Sequence, residues 1–123
     1  MVKIVLIDDD PISIFVTEKL IHKNVRMPCK IFSFDNALDA LRDIKNIKPQ
    51  YLFVDLNMPD MSGWDFLERF CPKNREPEIY ILSSSIDQRD INRANQYDQV
   101  KKFLSKPLIK HYVNMIFGEE RQA

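Results

Sequence analysis

The sequence has no excess of charge of either sign, because Lys and Arg together number 18 and Asp and Glu together also number 18. Proteins that hold nucleic acid by neutralising its phosphates need a basic surface field, and this balance does not supply one. We therefore expect no nucleic-acid binding by this chain alone.

The N-terminal part lacks a long apolar run. The first run follows Lys3 and ends after four residues at Asp8. This is too short for a signal peptide or a membrane span. We predict a cytoplasmic protein without a membrane partner.

Cysteine is scarce as well, with Cys29 and Cys71 far apart and no C-x-x-C pattern. Neither a disulfide framework nor a thiolate metal site fits such spacing. We predict two reduced, structural thiols.

The 123 residues are enough for one domain, and we predict a single domain over residues 1–123 with no output domain. Five short runs rich in β-branched or aromatic residues predict strands, and the segments between them have the apolar spacing of amphipathic helices. The runs are 3–7, 30–34, 51–56, 78–82 and 100–104. Runs 5–7 and 52–54 do not alternate apolar with polar residues, as expected for parallel strands covered on both faces. The pattern predicts an α/β fold with a doubly wound parallel sheet.

Residues that favour helix N-caps precede four of the predicted helices: Asp10 with Pro11 behind it, Asp35, Ser62 and Asp87. The fourth predicted helix, residues 89–97, has few apolar positions, and we expect it to be marginal.

Polar side chains follow the predicted strands at the edge where an open parallel sheet binds ligands. Asp8 and Asp9 follow the first strand, and Asp55 lies at the end of the third. Ser83 follows the fourth strand and Lys106 the fifth. Each of these residues alone is an ordinary turn, cap or surface residue. Together they place three carboxylates, a hydroxyl and an ammonium group at one edge.

Carboxylates gathered at one edge require a compensating cation, because two of them about 4 Å apart repel by about 4 kcal/mol at an effective dielectric of roughly 20. Oxygen ligands without His or Cys favour a hard ion. Mg²⁺ suits one or two carboxylates plus an incoming phosphate better than Ca²⁺ or Zn²⁺ does. Lys106 would then bind the other side of that phosphate.

The same residues carry a family resemblance. The sequence resembles the response-regulator receiver domains of bacterial two-component signalling, in particular the chemotaxis-type proteins that consist of one domain. The resemblance rests on the acid pair at 8–9, the segment 55–63 (DLNMPDMSG), Ser83, and the Lys106-Pro107 pair. The spacing from the aspartate through Met-Pro to the glycine is its most specific element.

The resemblance implies a flavodoxin-like fold, with five parallel strands in the order 2-1-3-4-5 flanked by five helices. It implies that Asp55 accepts a phosphoryl group from a sensor histidine kinase or a histidine phosphotransfer protein, and that an unidentified protein target lies downstream. Mg²⁺ would be bound by Asp9, Asp55 and the backbone carbonyl of Asn57, with Asp8 acting mainly through water.

The resemblance also implies a switch. Ser83 is then the switch hydroxyl and Phe103 the aromatic residue that changes rotamer, and the signal leaves through the surface of the fourth helix, fifth strand and fifth helix. The Lys106-Pro107 bond is expected to be cis, with an ordinary trans proline at a helix start as the alternative.

Two details stay open at this point. Most receivers have Thr and then Ala at the switch position, whereas residues 83–85 are all serine here, so either Ser83 or Ser84 faces the site. Trp64 directly follows Gly63; we expect it in the core, and a partner contact is the alternative.

Two other functions compete with the receiver interpretation. A phosphohydrolase of the haloacid-dehalogenase type also uses an aspartyl nucleophile after a strand, but it needs a second Asp two residues later, where this chain has Asn57. A pseudo-receiver usually loses one of the acid pair, the acceptor or the lysine, and all of these are present. We therefore predict a phosphoacceptor that is not an enzyme beyond its own Mg²⁺-dependent phosphorylation and dephosphorylation.

Overall fold

The computed structural model describes residues 1–70, 76–84 and 86–118, which form a parallel sheet with helices packed against it. The strands are β1 (Val2–Ile7), β2 (Cys29–Phe34), β3 (Tyr51–Asp55), β4 (Glu78–Ser83) and β5 (Val100–Ser105). The helices are α1 (Pro11–Asn24), α2 (Ala37–Ile47), α3 (Gly63–Phe70), α4 (Gln88–Ala94) and α5 (Lys110–Ile116). Each predicted strand agrees with the observed one to within one residue at either end.

The strand order is β2-β1-β3-β4-β5, and all neighbouring strands are parallel. The predicted flavodoxin-like α/β fold is confirmed. The chain passes from β1 to β2 on one side and then to β3 on the other. This reversal opens a crevice at the carboxyl ends of β1 and β3, where such folds bind ligands.

Alternating side chains of the sheet build two hydrophobic cores. Val5 and Ile7 belong to the core shared with α2, α3 and α4, whereas Ile4 and Leu6 belong to the core shared with α1 and α5. Strand β3 is buried along its whole length. The inner strands therefore have little room for polar side chains, which collect at the strand ends instead.

Most of the predicted helix starts are confirmed. Asp10, Ser62 and Asp87 each accept a backbone N–H from the first turn of their helix, at 2.9, 3.1 and 2.9 Å. The prediction for α2 was wrong by one residue, because Asn36 rather than Asp35 is the N-cap. The Asn36 side-chain oxygen accepts a first-turn N–H at 2.9 Å.

Helix α4 ends at Ala94, three residues before the predicted end at Tyr97. The Tyr97 ring stacks on Trp64, with 5.7 Å between ring centroids and 15° between ring planes. The Trp64 indole N–H donates to Asp90 Oδ1 at 3.0 Å, and the Arg93 guanidinium lies 5.1 Å from the indole ring. Trp64 is 5% exposed, so the expected core position is confirmed, and its contacts tie α3 to α4.

Cys29 is a free, partly buried thiol, and burial raises its pKa, which disfavours the reactive thiolate. Cys71 lies outside the described residues. Across the described part of the chain, no helix combines the length and the apolar character needed to cross a membrane.

Candidate functional site

The residues predicted to carry function lie at the carboxyl ends of neighbouring strands. Asp55 is the last residue of β3, and Asp8 and Lys106 directly follow β1 and β5. Backbone hydrogen bonds extend the sheet here: the Asp8 N–H donates to the Phe34 carbonyl at 3.0 Å, and the Lys106 N–H donates to the Ser83 carbonyl at 2.8 Å. The sheet itself therefore fixes where these residues leave it.

Lys106 joins two buried carboxylates. Its Nζ lies 2.8 Å from Asp8 Oδ2 and 2.9 Å from Asp55 Oδ2, and the side chains are 16% exposed for the lysine and 6% for each aspartate. Burial acts to lower the pKa of Lys106, but the two carboxylates outweigh it and raise the pKa above its usual value. Lys106 is therefore charged at neutral pH and supplies a fixed cation at this edge.

Both oxygens of the Asp55 carboxylate have a donor. Oδ2 contacts Lys106, and Oδ1 accepts the backbone N–H of Asn57 at 3.2 Å. Burial raises the pKa of Asp55; the Lys106 and Asn57 donors oppose this shift without cancelling it, and the charge of Asp8 adds to it. The nucleophilic, ionised form of Asp55 therefore benefits from every additional cation at this edge.

Asp9 completes an acidic cluster with Asp8 and Asp55. One carboxylate oxygen from each residue lies within 4.8 Å of the other two, with Asp9 exposed and the other two buried. A six-coordinate Mg²⁺ with bonds of about 2.1 Å spans oxygens up to about 4.2 Å apart. Small side-chain movements would let the cluster hold one such ion, either directly or through water bound to the ion. The donor set is all oxygen and fits Mg²⁺.

The β3–α3 loop, residues 56–62, brings Asn57 to the same edge. A crevice of about 430 Å³ lies beside it, lined by Asp9 and by the loop itself. Helix α3 starts against the Asp55 backbone, because a Cβ atom at Gly63 would lie only 2.7 Å from the Asp55 carbonyl oxygen. Glycine is therefore required where the loop turns into the helix.

Asp60 is a residue of this loop that the sequence reasoning missed. Its carboxylate accepts the backbone N–H groups of Ala37 and Leu38 at the start of α2, at 3.2 and 2.9 Å. Burial acts to raise the pKa of Asp60, but the N–H groups of residues 37, 38, 60 and 61 outweigh it and hold the pKa below its usual range. The capping side chain lies in a loop that is distant in sequence from α2. No local residue spacing therefore reveals this cap in the sequence.

The structure distinguishes Ser83 from Ser84. Ser83 is 1% exposed at the end of β4, whereas Ser84 is exposed. Ser83 pairs with Ser105 and Ile81 pairs with Phe103, so Ser83 and Phe103 lie on the same face of the sheet. Phe103 is partly buried against the core on the α2, α3 and α4 side. Their roles in switching stay predictions.

The Lys106-Pro107 peptide bond is cis, as the resemblance implied. Helix α5 starts only at Lys110, so the alternative of a trans proline at the helix start is excluded.

Comparison with known proteins agrees with this geometry. A family model described as "Response regulator receiver domain" matches residues 4–114. A protein-glutamate methylesterase/protein-glutamine glutaminase of Burkholderia thailandensis is 33% identical over 69 residues, which are 56% of this chain and 19% of that protein. An uncharacterized response regulatory protein of Vibrio cholerae is 25% identical over 123 residues, which are 100% of this chain and 52% of that protein. The chain thus spans about half or less of the length of these curated relatives.

A solved structure resembles the whole chain. The two-component response regulator from Cytophaga hutchinsonii superposes with a TM-score of 0.84 at 27% identity, covering 98% of this chain and 97% of that chain. The family match and this shared architecture show that the chain belongs to the response regulator receiver domain family.

Proposed function

We propose that this receiver domain accepts a phosphoryl group on Asp55 from a sensor histidine kinase or a histidine phosphotransfer protein, in a Mg²⁺-dependent reaction. The observation that carries the proposal is the Lys106 ammonium, which lies 2.9 Å from Asp55 Oδ2 at an edge that also gathers the carboxylates of Asp8 and Asp9. A positioned carboxylate, a fixed cation and a site for a hard metal ion are the parts that phosphoryl transfer needs.

The transfer exchanges a phosphorus–nitrogen bond for a phosphorus–oxygen bond. A carboxylate oxygen of Asp55 attacks the phosphorus of a phosphohistidine, and the bond to the imidazole nitrogen breaks with its electron pair leaving on the imidazole. Lys106 neutralises charge that spreads over the transferred oxygens. The N–H of Asn57 orients the carboxylate for attack.

Asp8, Asp9, Asp55 and the Asn57 backbone carbonyl are the groups that would hold Mg²⁺, with Asp8 acting mainly through water. When bound, the ion supplies positive charge to the carboxylates and to the phosphoryl oxygens. The all-oxygen cluster of three carboxylates supports this assignment.

Ser83 and Phe103 are proposed to carry the signal to the surface formed by α4, β5 and α5. A phosphoryl oxygen on Asp55 accepts a hydrogen bond from the Ser83 hydroxyl. The Ser83 side chain moves toward the phosphoryl group as a result, and this frees space that the Phe103 ring can enter. Full burial of an aromatic side chain is worth about 1.5–3 kcal/mol, and part of this shifts a nearly balanced equilibrium several-fold. The position of both residues on one sheet face supports this path.

The phosphoryl donor is proposed to dock on α1. Ile12, Phe15 and Val16 are 72%, 59% and 39% exposed, and they lie in the first two turns of α1, the helix that follows the acid pair. Ile109, 47% exposed, follows Lys106 at the other side of the site. A protein that brings its imidazole to Asp55 has to cover this edge, and exposed apolar side chains beside it favour contact with an apolar helix face.

That the chain acts as a single domain, with no output domain, stays a prediction, as does its cytoplasmic location. In that case the signal leaves through contact with a separate downstream protein.

Intact-mass analysis after incubation with acetyl phosphate and MgCl₂ tests the proposal. We expect the wild type to gain one phosphoryl group and Asp55→Asn to gain none, because the amide lacks the nucleophilic anion. Asp43→Asn, which removes an exposed carboxylate that pairs with Arg42, is the matched control and should label like the wild type.

The other outcomes identify the competing functions. Continuous phosphate release without a retained phosphoryl group would indicate a phosphohydrolase, and no gain at all would indicate a pseudo-receiver. Full labelling of Asp55→Asn at another residue would refute the assignment of the acceptor.

A further inference from the structure

Asp60, in the β3–α3 loop, bonds to the start of α2. Its Oδ2 accepts the Leu38 N–H at 2.9 Å, and its Oδ1 accepts the N–H groups of Ala37 at 3.2 Å and Met61 at 3.1 Å. The bonds to α2 join residues 22 and 23 positions apart. They connect two parts of the carboxyl edge that the sheet ladder alone does not connect.

These bonds use N–H groups that a helix leaves open. The first N–H groups of a helix have no partner within it, and its positive end favours a carboxylate. Asn36 already caps α2 from its own connection by accepting the Asp39 N–H. Helix α2 therefore has two caps, and the second one comes from the loop that carries Asn57.

The β3–α3 loop is also fixed at its other end. The Gly63 N–H donates to the Leu56 carbonyl at 2.9 Å. Asn57 itself donates to Asp55 Oδ1 at 3.2 Å. Between these contacts, Met58 and Met61 pack against the hydrophobic core, and Asp60 hydrogen-bonds the middle of the loop to α2.

We propose that Asp60 is a positioning residue for metal binding, because its bonds to Ala37 and Leu38 hold the β3–α3 loop so that the Asn57 carbonyl stays aligned with the acidic cluster. The inference rests on the proposed Mg²⁺-dependent function and adds a residue that sets metal affinity without touching the metal. Partners of direct metal ligands change affinity by about 10–100-fold. Asp60 is three positions from Asn57 in the loop, and the Asn57 carbonyl is one metal ligand among several. We therefore expect Asp60 to change Mg²⁺ affinity by about fivefold, less than a direct partner of a ligand would.

Asp60→Ala and Asn36→Ala form a matched pair, because each removes one cap of α2 and only the first releases the loop. The full chain is titrated with MgCl₂ while backbone amide NMR shifts are followed, and thermal unfolding is measured in parallel. We expect similar losses of melting temperature in both variants. Only Asp60→Ala should weaken Mg²⁺ binding by about fivefold.

The same pair is compared in phosphorylation by acetyl phosphate. Asp60→Ala should be slow at limiting Mg²⁺ and reach the wild-type rate at saturating Mg²⁺, whereas Asn36→Ala should match the wild type at both concentrations. Equal weakening of Mg²⁺ binding in the two variants would overturn the proposal, because helix stability would then set the affinity.

Asp60→Asn separates position from charge. The amide keeps an acceptor for α2 and loses the negative charge, so it should weaken Mg²⁺ binding less than Asp60→Ala does. In about 1 M KCl the Debye length is about 3 Å, and attraction between exposed charges is screened. If the loss of Mg²⁺ affinity in Asp60→Ala disappears in this salt, the loss is caused by the missing charge. That result would refute the positioning role of Asp60.

Amide hydrogen exchange in metal-free buffer measures directly how firmly the β3–α3 loop is held. Asp60→Ala should speed exchange across residues 56–62 relative to Asn36→Ala. A wild type that binds no Mg²⁺ would overturn the proposed function and this inference together. A wild type that binds Mg²⁺, with unchanged loop exchange in Asp60→Ala, would overturn this inference alone.

Discussion

Replacing Lys106 with Met tests how far the stability of this domain depends on the cation between its buried carboxylates. The substitution keeps an unbranched side chain that is one atom shorter, and it removes the charge that lies 2.8 Å from Asp8 and 2.9 Å from Asp55. Both carboxylates are 6% exposed and would repel each other without a nearby cation. Removing one partner of a buried pair costs about 3–5 kcal/mol, against about 0–1 kcal/mol for an exposed pair. We expect the free energy of unfolding to fall by about 3 kcal/mol in metal-free buffer.

A double-mutant cycle with Asp55→Asn identifies the cause of this loss. In the Lys106→Met background, Asp55→Asn should recover most of the lost stability, because one of the two repelling charges is gone. Urea unfolding, followed by the fluorescence of the single tryptophan, Trp64, measures all four proteins. Adding MgCl₂ should also restore part of the stability of Lys106→Met, since bound metal replaces the missing charge.

The pH dependence has a defined sign. Burial raises the pKa of Asp55, so the folded protein binds this proton more tightly than the unfolded chain does. The stability from this group is fully present below its unfolded pKa of about 3.9 and is lost as pH rises through the raised folded pKa. Without Lys106 the pKa of Asp55 in the folded protein rises further. The loss of unfolding free energy in Lys106→Met should therefore grow from acid to neutral pH. A deficit that is independent of pH, or that persists in the double variant, would refute the charge argument.

Three further predictions concern the metal, the switch and the core. Asp9→Ala should bind Mg²⁺ more weakly yet melt higher than the wild type in metal-free buffer, because it removes like-charge repulsion; a lower melting temperature would contradict this. Ser83→Ala should still be phosphorylated, but amide exchange over residues 86–117 should respond only weakly to beryllofluoride. Trp64→Phe loses the hydrogen bond to Asp90 and should lose about 1 kcal/mol of stability by urea unfolding followed by circular dichroism; an unchanged midpoint would show that water replaces this bond.

The fold and the clustering of the candidate site residues could be predicted because the sequence shows where each strand ends. Strands that are buried on both faces read as uninterrupted apolar runs, so the first polar residue after each run marks the carboxyl edge. Asp8 and Asp55 are such residues, and Lys106 directly follows Ser105, the first polar residue after the fifth run. Parallel strands bring their ends together whatever the loops do. The contacts at 2.8 and 2.9 Å follow from that topology.

Contacts between distant connections could not be predicted in this way. The Asp60 bonds to α2 and the stacking of Tyr97 on Trp64 join segments that share no periodic pattern. Helix propensity favours or disfavours continuation past Ala94 by only a few tenths of a kcal/mol per residue, whereas an aromatic pair contributes about 0.5–1.5 kcal/mol beyond its buried area. A tertiary contact of this size is not part of the local preference, so the local sequence alone does not fix where α4 ends.

The serine triplet at 83–85 shows why backbone register was needed to choose the switch residue. Strand β4 continues through Ser83, which pairs with Ser105, and side chains alternate along a strand. Ser83 therefore shares the face of Ile81 and Phe103, and a shift of one residue would have placed Ser84 there instead. Because Ser84 is exposed, Ser84→Ala should leave the beryllofluoride response of residues 86–117 at its wild-type size while Ser83→Ala reduces it. The opposite result, a response lost in Ser84→Ala and retained in Ser83→Ala, would mean that the phosphorylated protein uses a different register at this strand end.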